Sequence, residues 1–142
     1  MSTAAKRLRQ RIAAQARHRC GYCLTLEVVS GIPLTLEHLT PKVQGGADTE
    51  DNLWLSCRLC NESKGIQTEA ADPETGLISP LFNPRRQIWS EHFTWIENDT
   101  EILGLSPMGR ATIAALGLNS ELRVRARALW VEAGWHPPAT GD

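Results

Sequence analysis

The first part of the chain places apolar residues among basic ones at a helical period. Leu8, Ile12 and Ala16 recur every four residues, separated by alanine, arginine and glutamine. This spacing puts the three side chains on one face of an α-helix. The pattern therefore predicts an amphipathic helix over residues 4–18.

A denser run of aliphatic and β-branched side chains follows over residues 24–38. The run is rich in valine, isoleucine, leucine and threonine and is broken by Ser30-Gly31 and Pro33. This composition is typical of short strands separated by a turn. We therefore expect a hairpin-like pair of strands within this segment.

The next stretch is more polar and is predicted to be a loop. Residues 39–51 contain proline, a Gly-Gly pair and several acids or amides, which favour turns over regular structure. Apolar residues return directly after Asn52, and the segment from Asn52 to Ser56 is predicted to be a short strand. From Asn61 onwards we expect a short helix that ends near Gly65.

In the second half of the chain, two short apolar segments flank a turn pair. Phe93–Glu97 and Thr100–Leu103 lie on either side of Asn98-Asp99. Asparagine and aspartate tolerate the backbone angles of a tight turn, so these residues predict a β-hairpin. The proline-bracketed stretch over residues 72–84 is predicted to be extended.

Terminal signals delimit two further helices. Ser106-Pro107 supplies an N-cap and a first-turn proline, and Gly117 marks the end of that helix. Asn119-Ser120-Glu121 opens a final helix that reaches about Ala133, with Gly134 directly after it.

These elements predict an α+β protein that forms a single structural unit. We expect an N-terminal helix and a small core over residues 1–70, with a hairpin-plus-two-helix extension over residues 71–142 packed on it. A length of 142 residues and a hydrophobic content of 42% are ordinary for one globular domain. No apolar run is long enough for a membrane span, and the basic start lacks the apolar region of a secretory signal. We therefore expect a cytoplasmic protein with no membrane partner.

The charge is unevenly distributed although the net charge is only −1. Residues 1–64 contain nine lysines and arginines against six acids, and the balance reverses in residues 65–142. A basic first segment is compatible with phosphate contacts. A solvated helix face explains the same charges equally well.

Two Cys-x-x-Cys pairs are the clearest chemical signal in the chain. Each pair has the length of a knuckle that directs two thiolates at one tetrahedral Zn²⁺. Structural zinc is favoured over disulfides or free thiols, because cytosolic thiols stay reduced. The expected zinc ligands are Cys20, Cys23, Cys57 and Cys60.

The histidines other than His38, and the three arginines of the predicted last helix, are assigned no catalytic role. His92 lies beside aromatic residues and is interpreted as a packed, hydrogen-bonded histidine rather than a metal ligand. Arg123, Arg125 and Arg127 are interpreted as a solvated helix surface, with DNA contact as the minority reading.

The segment between and around the cysteines resembles a known nuclease motif. CGYC…LEHLTPKVQGGADTEDNLWLSCRLCNESKG is similar to the HNH endonuclease family in its form with a four-cysteine zinc scaffold. PLFNPRRQIWSEHFTW is similar to the tail of small bacterial members of that family. The resemblance implies a zinc-stapled ββα-metal core and metal-dependent cleavage of DNA that leaves 5′-phosphate and 3′-hydroxyl ends.

The resemblance also implies a role for each motif residue. His38 would be the general base that activates water, a role that suits imidazole near neutral pH. Asn52 would hold the loop and orient His38. Glu37 and Asn61 would bind one Mg²⁺ or Mn²⁺ through oxygen atoms. Asn61 stands where many members have histidine, and Glu37 stands where aspartate is more common.

One geometric condition applies to the acid–histidine pair. Neighbouring residues of a regular strand point to opposite faces, so Glu37 and His38 share a site only if the strand ends there. Thr40-Pro41 makes such an end plausible.

Nucleic-acid contacts are expected from basic residues around the motif, namely Arg9, Lys42, Arg58 and Lys64. One site in a monomer would nick one strand, and a homodimer is possible but not readable from the sequence. Two alternatives stay open, a non-catalytic zinc-ribbon module that binds nucleic acid and a nuclease directed at RNA.

Overall fold

The computed structural model describes residues 2–139 of the chain. Helices and short antiparallel hairpins alternate along it, which confirms the predicted α+β class. In chain order the elements are α1 (Thr3–Gln15), α2 (Glu27–Ser30), β1 (Thr35–His38), β2 (Leu53–Ser56), α3 (Arg58–Lys64), β3 (Glu69–Ala71), β4 (Ile78–Pro80), α4 (Trp89–His92), β5 (Phe93–Ile96), β6 (Glu101–Gly104), α5 (Pro107–Leu116) and α6 (Glu121–Ala133).

The predicted first helix is confirmed, with somewhat earlier ends. Ser2 caps α1 by accepting a hydrogen bond from the backbone N–H of Ala5 at 3.1 Å. The helix stops before Arg17 and His18, whose φ angles of 55° lie in the left-handed region. Its buried face carries Ile12, as the helical period predicts.

The expected hairpin within residues 24–38 is wrong. Its first half forms the single helical turn α2, because Gly31 adopts a left-handed conformation with φ of 71° and ends a helix instead of opening a hairpin turn. The partner of β1 is β2, with Leu36 opposite Leu55 and His38 opposite Leu53.

The helix after the second cysteine pair begins earlier than expected. Its N-cap is Cys57, whose sulfur accepts from the backbone N–H of Cys60 at 3.4 Å. Asn61 therefore lies in the middle of α3 and not at its start. Together β1, β2 and α3 form a ββα unit.

The elements of the second half follow their local signals. β5 and β6 pair through a turn in which Glu97, Asn98 and Asp99 have positive φ angles, which confirms the predicted hairpin. α5 begins after Ser106 and ends before Gly117, and α6 ends before Gly134, as the cap residues indicate.

The stretch expected to be extended after residue 72 instead folds back on the strand before it. β3 and β4 pair as a small hairpin. At its turn the fully buried Asp72 accepts two hydrogen bonds of 2.9 Å from the Arg110 guanidinium of α5. This arginine holds the pKa of the Asp72 carboxyl well below its ordinary value. A paired charge therefore fixes the hairpin against α5.

The hydrophobic core draws on both halves of the chain. Ile12, Tyr22 and Leu55 from the first half pack in one cluster with Phe93 and Leu116 from the second. A hydrogen bond of 2.8 Å from the Trp89 ring nitrogen to the Tyr22 carbonyl joins the two halves at the first cysteine knuckle. Among residues 2–139, no helix is both long and apolar enough to span a membrane.

Candidate functional site

The two cysteine pairs meet at one point in the fold. All four sulfur atoms lie within 4.8 Å of one another, and the Sγ atoms of Cys23 and Cys57 are 3.7 Å apart. Three of the four side chains are buried and Cys57 is partly buried. The cluster predicted from the spacing is therefore confirmed, with Cys20, Cys23, Cys57 and Cys60 as its members.

Close packing against β2 shapes the first knuckle. The Gly21 N–H donates to the Leu55 carbonyl at 2.9 Å. A Cβ atom at Gly21 would lie only 2.5 Å from the Trp54 ring and 2.7 Å from Pro84. The knuckle therefore requires glycine, since any side chain there would displace β2.

The chemistry of this cluster fits a structural zinc centre. Burial raises the pKa of the Cys20 thiol, and four adjacent thiolates would repel one another without a cation between them. Zn²⁺ takes four thiolates in tetrahedral geometry. A further positive charge is already in place, because Arg123 of α6 donates from Nη1 to the Cys60 sulfur at 3.2 Å.

His38 occupies the last position of β1, at the edge of a surface cavity. Its side chain is 26% exposed, and its Nε2 lies 2.6 Å from Oδ1 of Asp48. Lys42 places its ammonium nitrogen 3.2 Å from the same carboxylate oxygen. Hydrogen bonds from His38 and Lys42 lower the pKa of Asp48.

Asp48 is the site residue that the sequence reasoning missed. The available signal was a carboxylate two residues after the Gly-Gly pair, in the loop that follows the histidine. Nothing in that spacing alone indicates which side chain the carboxylate meets.

Asn52 clamps the loop that connects β1 to β2. Its Oδ1 accepts from the Thr40 N–H at 2.8 Å, and its Nδ2 donates to the carbonyls of Thr40 and Ala47 at 3.0 and 2.9 Å. A Cβ atom at Gly46 would clash with the Thr40 carbonyl oxygen, so the clamp also requires a glycine there. The loop therefore has a fixed path between His38 and Asp48.

Asn61 and His38 border the same cavity, which has a volume of about 320 Å³. Asn61 enters the cavity wall from α3, whereas His38 enters it from β1. Within residues 2–139 the Asn61 side chain has no hydrogen-bond partner. Its amide oxygen is thus available to a ligand.

Glu37 also lines this cavity, but its side chain is buried and only 3% exposed. The Tyr22 hydroxyl donates to Oε1 of Glu37 at 2.9 Å, and the Lys64 ammonium nitrogen lies 3.1 Å from the same oxygen without hydrogen-bond alignment. Burial raises the pKa of the Glu37 carboxyl, which Lys64 opposes. Oε2 has no hydrogen-bond partner among the described residues.

The available donors fit a hard divalent cation. The unpaired Oε2 of Glu37, which is buried in this structure, and the amide oxygen of Asn61 are oxygen ligands of the kind that Mg²⁺ and Mn²⁺ prefer. The ammonium group of Lys64 would compete with a bound cation for Glu37, since it already compensates the charge of that carboxylate.

The structure gives internal partners to all four basic residues expected to contact nucleic acid. Arg9 donates to the Leu34 carbonyl at 2.6 Å, and Arg58 pairs with Glu62 at 2.9 Å. Lys42 pairs with Asp48, as described above. Lys64 is buried with a side-chain exposure of 4%, so it does not reach the surface in this conformation.

The interpretation of His92 as a packed, hydrogen-bonded histidine is confirmed. Its Nδ1 lies 2.7 Å from the Ser106 hydroxyl, and its ring packs against Phe82 with 5.8 Å between the ring centroids. His92 therefore joins α4 to the N-terminus of α5 and lies outside the cavity that His38 borders.

The interpretation of the α6 arginines as solvated is wrong for two of the three. Arg127 is 2% exposed and donates to the carbonyls of Thr100 and Leu118 at 2.9 and 2.6 Å. Arg123 contacts the cysteine cluster, and only Arg125 is exposed. Arg127 is buried and Arg123 partly buried, which is tolerated because backbone carbonyls or a sulfur atom accept from their donors.

Comparison with protein families gives a match for the segment that contains this site. The HNH endonuclease family model matches residues 20–67, which contain both cysteine pairs and the clamped loop. Comparisons with curated proteins and with solved structures give no match. An HNH segment implies a nuclease-type function that acts on nucleic acid. Residues 20–67, about a third of the chain, therefore match the HNH endonuclease family model, and the four clustered cysteines fit its cysteine-scaffolded type.

Proposed function

We propose that the protein is a metal-dependent endonuclease that hydrolyses DNA phosphodiester bonds with His38 as general base. One observation carries the proposal: His38 of β1 and Asn61 of α3 border a single surface cavity in the ββα unit. The family match covers that unit.

His38 is the group that we assign to proton transfer. An imidazole nitrogen takes a proton from water, and the water oxygen forms a bond to phosphorus. The bond between phosphorus and the 3′ oxygen then breaks, and that oxygen takes a proton from solvent. The products carry a 5′-phosphate and a 3′-hydroxyl.

Glu37 and Asn61 are the residues that would hold the divalent cation. Bound there, Mg²⁺ or Mn²⁺ would neutralise charge on the phosphate and on the leaving oxygen. Asn52 contributes indirectly, because its three hydrogen bonds fix the loop beside His38.

Nucleic-acid binding is assigned to basic residues that are at least partly exposed, of which Lys42 lies at the cavity. Lys42 lines the cavity with a side-chain exposure of 63% and can exchange its contact with Asp48 for a phosphate. Arg9 and Arg58 would exchange their internal partners in the same way. Each exchange costs an existing contact, so we expect modest, salt-sensitive affinity. The protein would nick one strand per site.

The first test is cleavage of supercoiled plasmid by zinc-loaded protein in Mg²⁺, Mn²⁺ or EDTA. His38→Asn keeps a polar side chain opposite Asp48 but removes the proton acceptor, so we expect at least about a 100-fold loss of nicking. His18→Asn is the matched control, because His18 is exposed just after the end of α1 and lies outside the cavity. Full nicking by His38→Asn would refute the assigned base.

The same assay separates the alternatives. Parallel reactions contain single-stranded and duplex RNA of the same sequence, and preferential RNA cleavage would move the substrate assignment to RNA. Retarded DNA migration without cleavage in any metal would favour a non-catalytic binding module.

A further inference from the structure

We propose that Asp48 positions His38 by accepting a hydrogen bond from its Nε2–H, which leaves Nδ1 as the nitrogen that takes the proton from water. This inference rests on the proposed function, in which His38 is the base. It adds a residue and an atom to that function.

The contact is short and specific. His38 Nε2 and Asp48 Oδ1 are 2.6 Å apart, within the range of a strong charge-assisted hydrogen bond. Among residues 2–139, Nδ1 of His38 has no hydrogen-bond partner. The ring therefore has one nitrogen committed to the protein and one free nitrogen.

The chemistry of the partner decides which nitrogen carries the proton. An ionised carboxylate only accepts hydrogen bonds, and Asp48 is kept ionised by its contacts with His38 and Lys42. The N–H of the pair must then belong to Nε2. A neutral imidazole has a single N–H, so Nδ1 carries the lone pair that a general base needs.

The position of Asp48 is itself fixed by the backbone. Asn52 donates to the carbonyl of Ala47, the residue directly before Asp48, at 2.9 Å. Asn52 also holds both backbone groups of Thr40, two residues after His38. Asn52 thus connects the strand that carries the base to the loop that carries its partner.

An alternative role in stability does not explain this arrangement. Asp48 is 68% exposed, and exposed ion pairs contribute little to folding free energy. A negative charge beside a cavity that would bind a polyanion also weakens binding. A carboxylate at this position is accounted for by its effect on the His38 ring.

The tautomer can be measured without activity. Long-range ¹H–¹⁵N spectra of uniformly labelled, zinc-loaded protein at about pH 8.5, two units above the ordinary histidine pKa, report which nitrogen of each neutral ring is protonated. The chain has four histidines, and the spectrum of His38→Asn assigns the signal of His38. We expect protonated Nε2 in the native protein and a tautomer mixture in Asp48→Ala. Protonated Nδ1, or an unchanged signal in Asp48→Ala, would overturn the proposal.

Kinetics supply the second readout. We expect Asp48→Ala to lower kcat about 10- to 100-fold, the usual effect of losing a residue that orients a functional side chain. KM for DNA should stay the same or fall, because a negative charge has been removed near the substrate. Asp48→Asn should recover part of kcat, since its amide oxygen still accepts from Nε2–H.

The matched control is Asp51→Asn, which removes a charge from the same loop at a residue whose carboxylate contacts Thr49 and not His38. It should leave kcat within about twofold of the native value, as expected for a surface change away from the site. A native kcat in Asp48→Ala, together with an inactive His38→Asn, would refute the positioning role and leave the nuclease intact. An active His38→Asn would instead refute the proposed function, while the spectra would still decide the Asp48 contact.

Discussion

At the scale of single residues, the adjacent pair Glu37 and His38 shows how one strand serves two environments. Glu37 contacts Tyr22 and Lys64 in the interior, whereas His38, at the end of β1, contacts Asp48 at the surface, and both residues still line one cavity. The carboxylate of Glu37 is thereby neutralised by an internal lysine. The sequence predicts that Lys64 contacts nucleic acid at the surface. In the fold, Lys64 is instead buried beside Glu37.

A stability prediction follows from this burial. Lys64→Met would leave the Glu37 carboxylate buried without its cation, and loss of one partner of a buried ion pair costs about 3–5 kcal/mol. The free energy of unfolding by guanidinium chloride, measured on zinc-loaded protein without Mg²⁺, should fall by that amount. Lys42→Met is the matched control, since Lys42 is 63% exposed and its pair with Asp48 should contribute less than about 1 kcal/mol. Equal losses in both variants would contradict the internal role of Lys64.

At the scale of secondary-structure elements, the segments with local signals were predicted correctly and those set by distant partners were not. Ser106, Gly117 and Gly134 delimit helices through caps that involve only neighbouring residues. Residues 27–30 have a strand-like composition, yet they form a helical turn that Gly31 ends and that contacts of Glu27 hold from outside. Its N–H donates to the His18 carbonyl and its carboxylate accepts from the Leu34 N–H.

The residues of the candidate site show the same difference between local signals and distant partners. The four cysteines and the His38 motif could be found because their spacing is in the sequence itself. Asp48 and the buried Arg127 could not, because their roles depend on groups 10 and 27 residues away that only the folded chain brings near. Periodicity describes which face a residue occupies and does not describe what covers that face.

The loop between β1 and β2 is the element whose rigidity can be tested. Asn52→Ala removes one acceptor and two donors from the loop, and at about 1 kcal/mol for each hydrogen bond we expect a loss of about 1–3 kcal/mol in unfolding free energy. The Thr40 amide should exchange with deuterium much faster, together with a loss of nicking activity. Asn52→Asp keeps the acceptor for Thr40 and should retain more of its protection. Unchanged exchange in Asn52→Ala would contradict the clamp.

At the scale of the whole molecule, the cysteine cluster is where the two halves of the chain meet. Its ligands come from the first half, whereas Arg123 reaches it from α6 near the other end of the chain. A thiolate that accepts a hydrogen bond from a guanidinium carries less exposed charge and is harder to protonate. We therefore expect α6 to help the cysteines to retain zinc, through Arg123, in addition to covering the core.

Zinc release measures this connection directly. Arg123→Met removes the donor to the Cys60 sulfur while keeping an apolar stem, and loss of such an outer contact weakens metal binding by about 10- to 100-fold. We expect native protein to contain about one zinc per chain, and Arg123→Met to transfer it to a chromogenic chelator at least about tenfold faster. Arg125→Met, at an exposed position of the same helix, should match the native rate. Equal release rates for both variants would mean that α6 packs beside the cysteines without stabilising the bound metal, and the hydrogen bond from Arg123 would then be incidental to zinc retention.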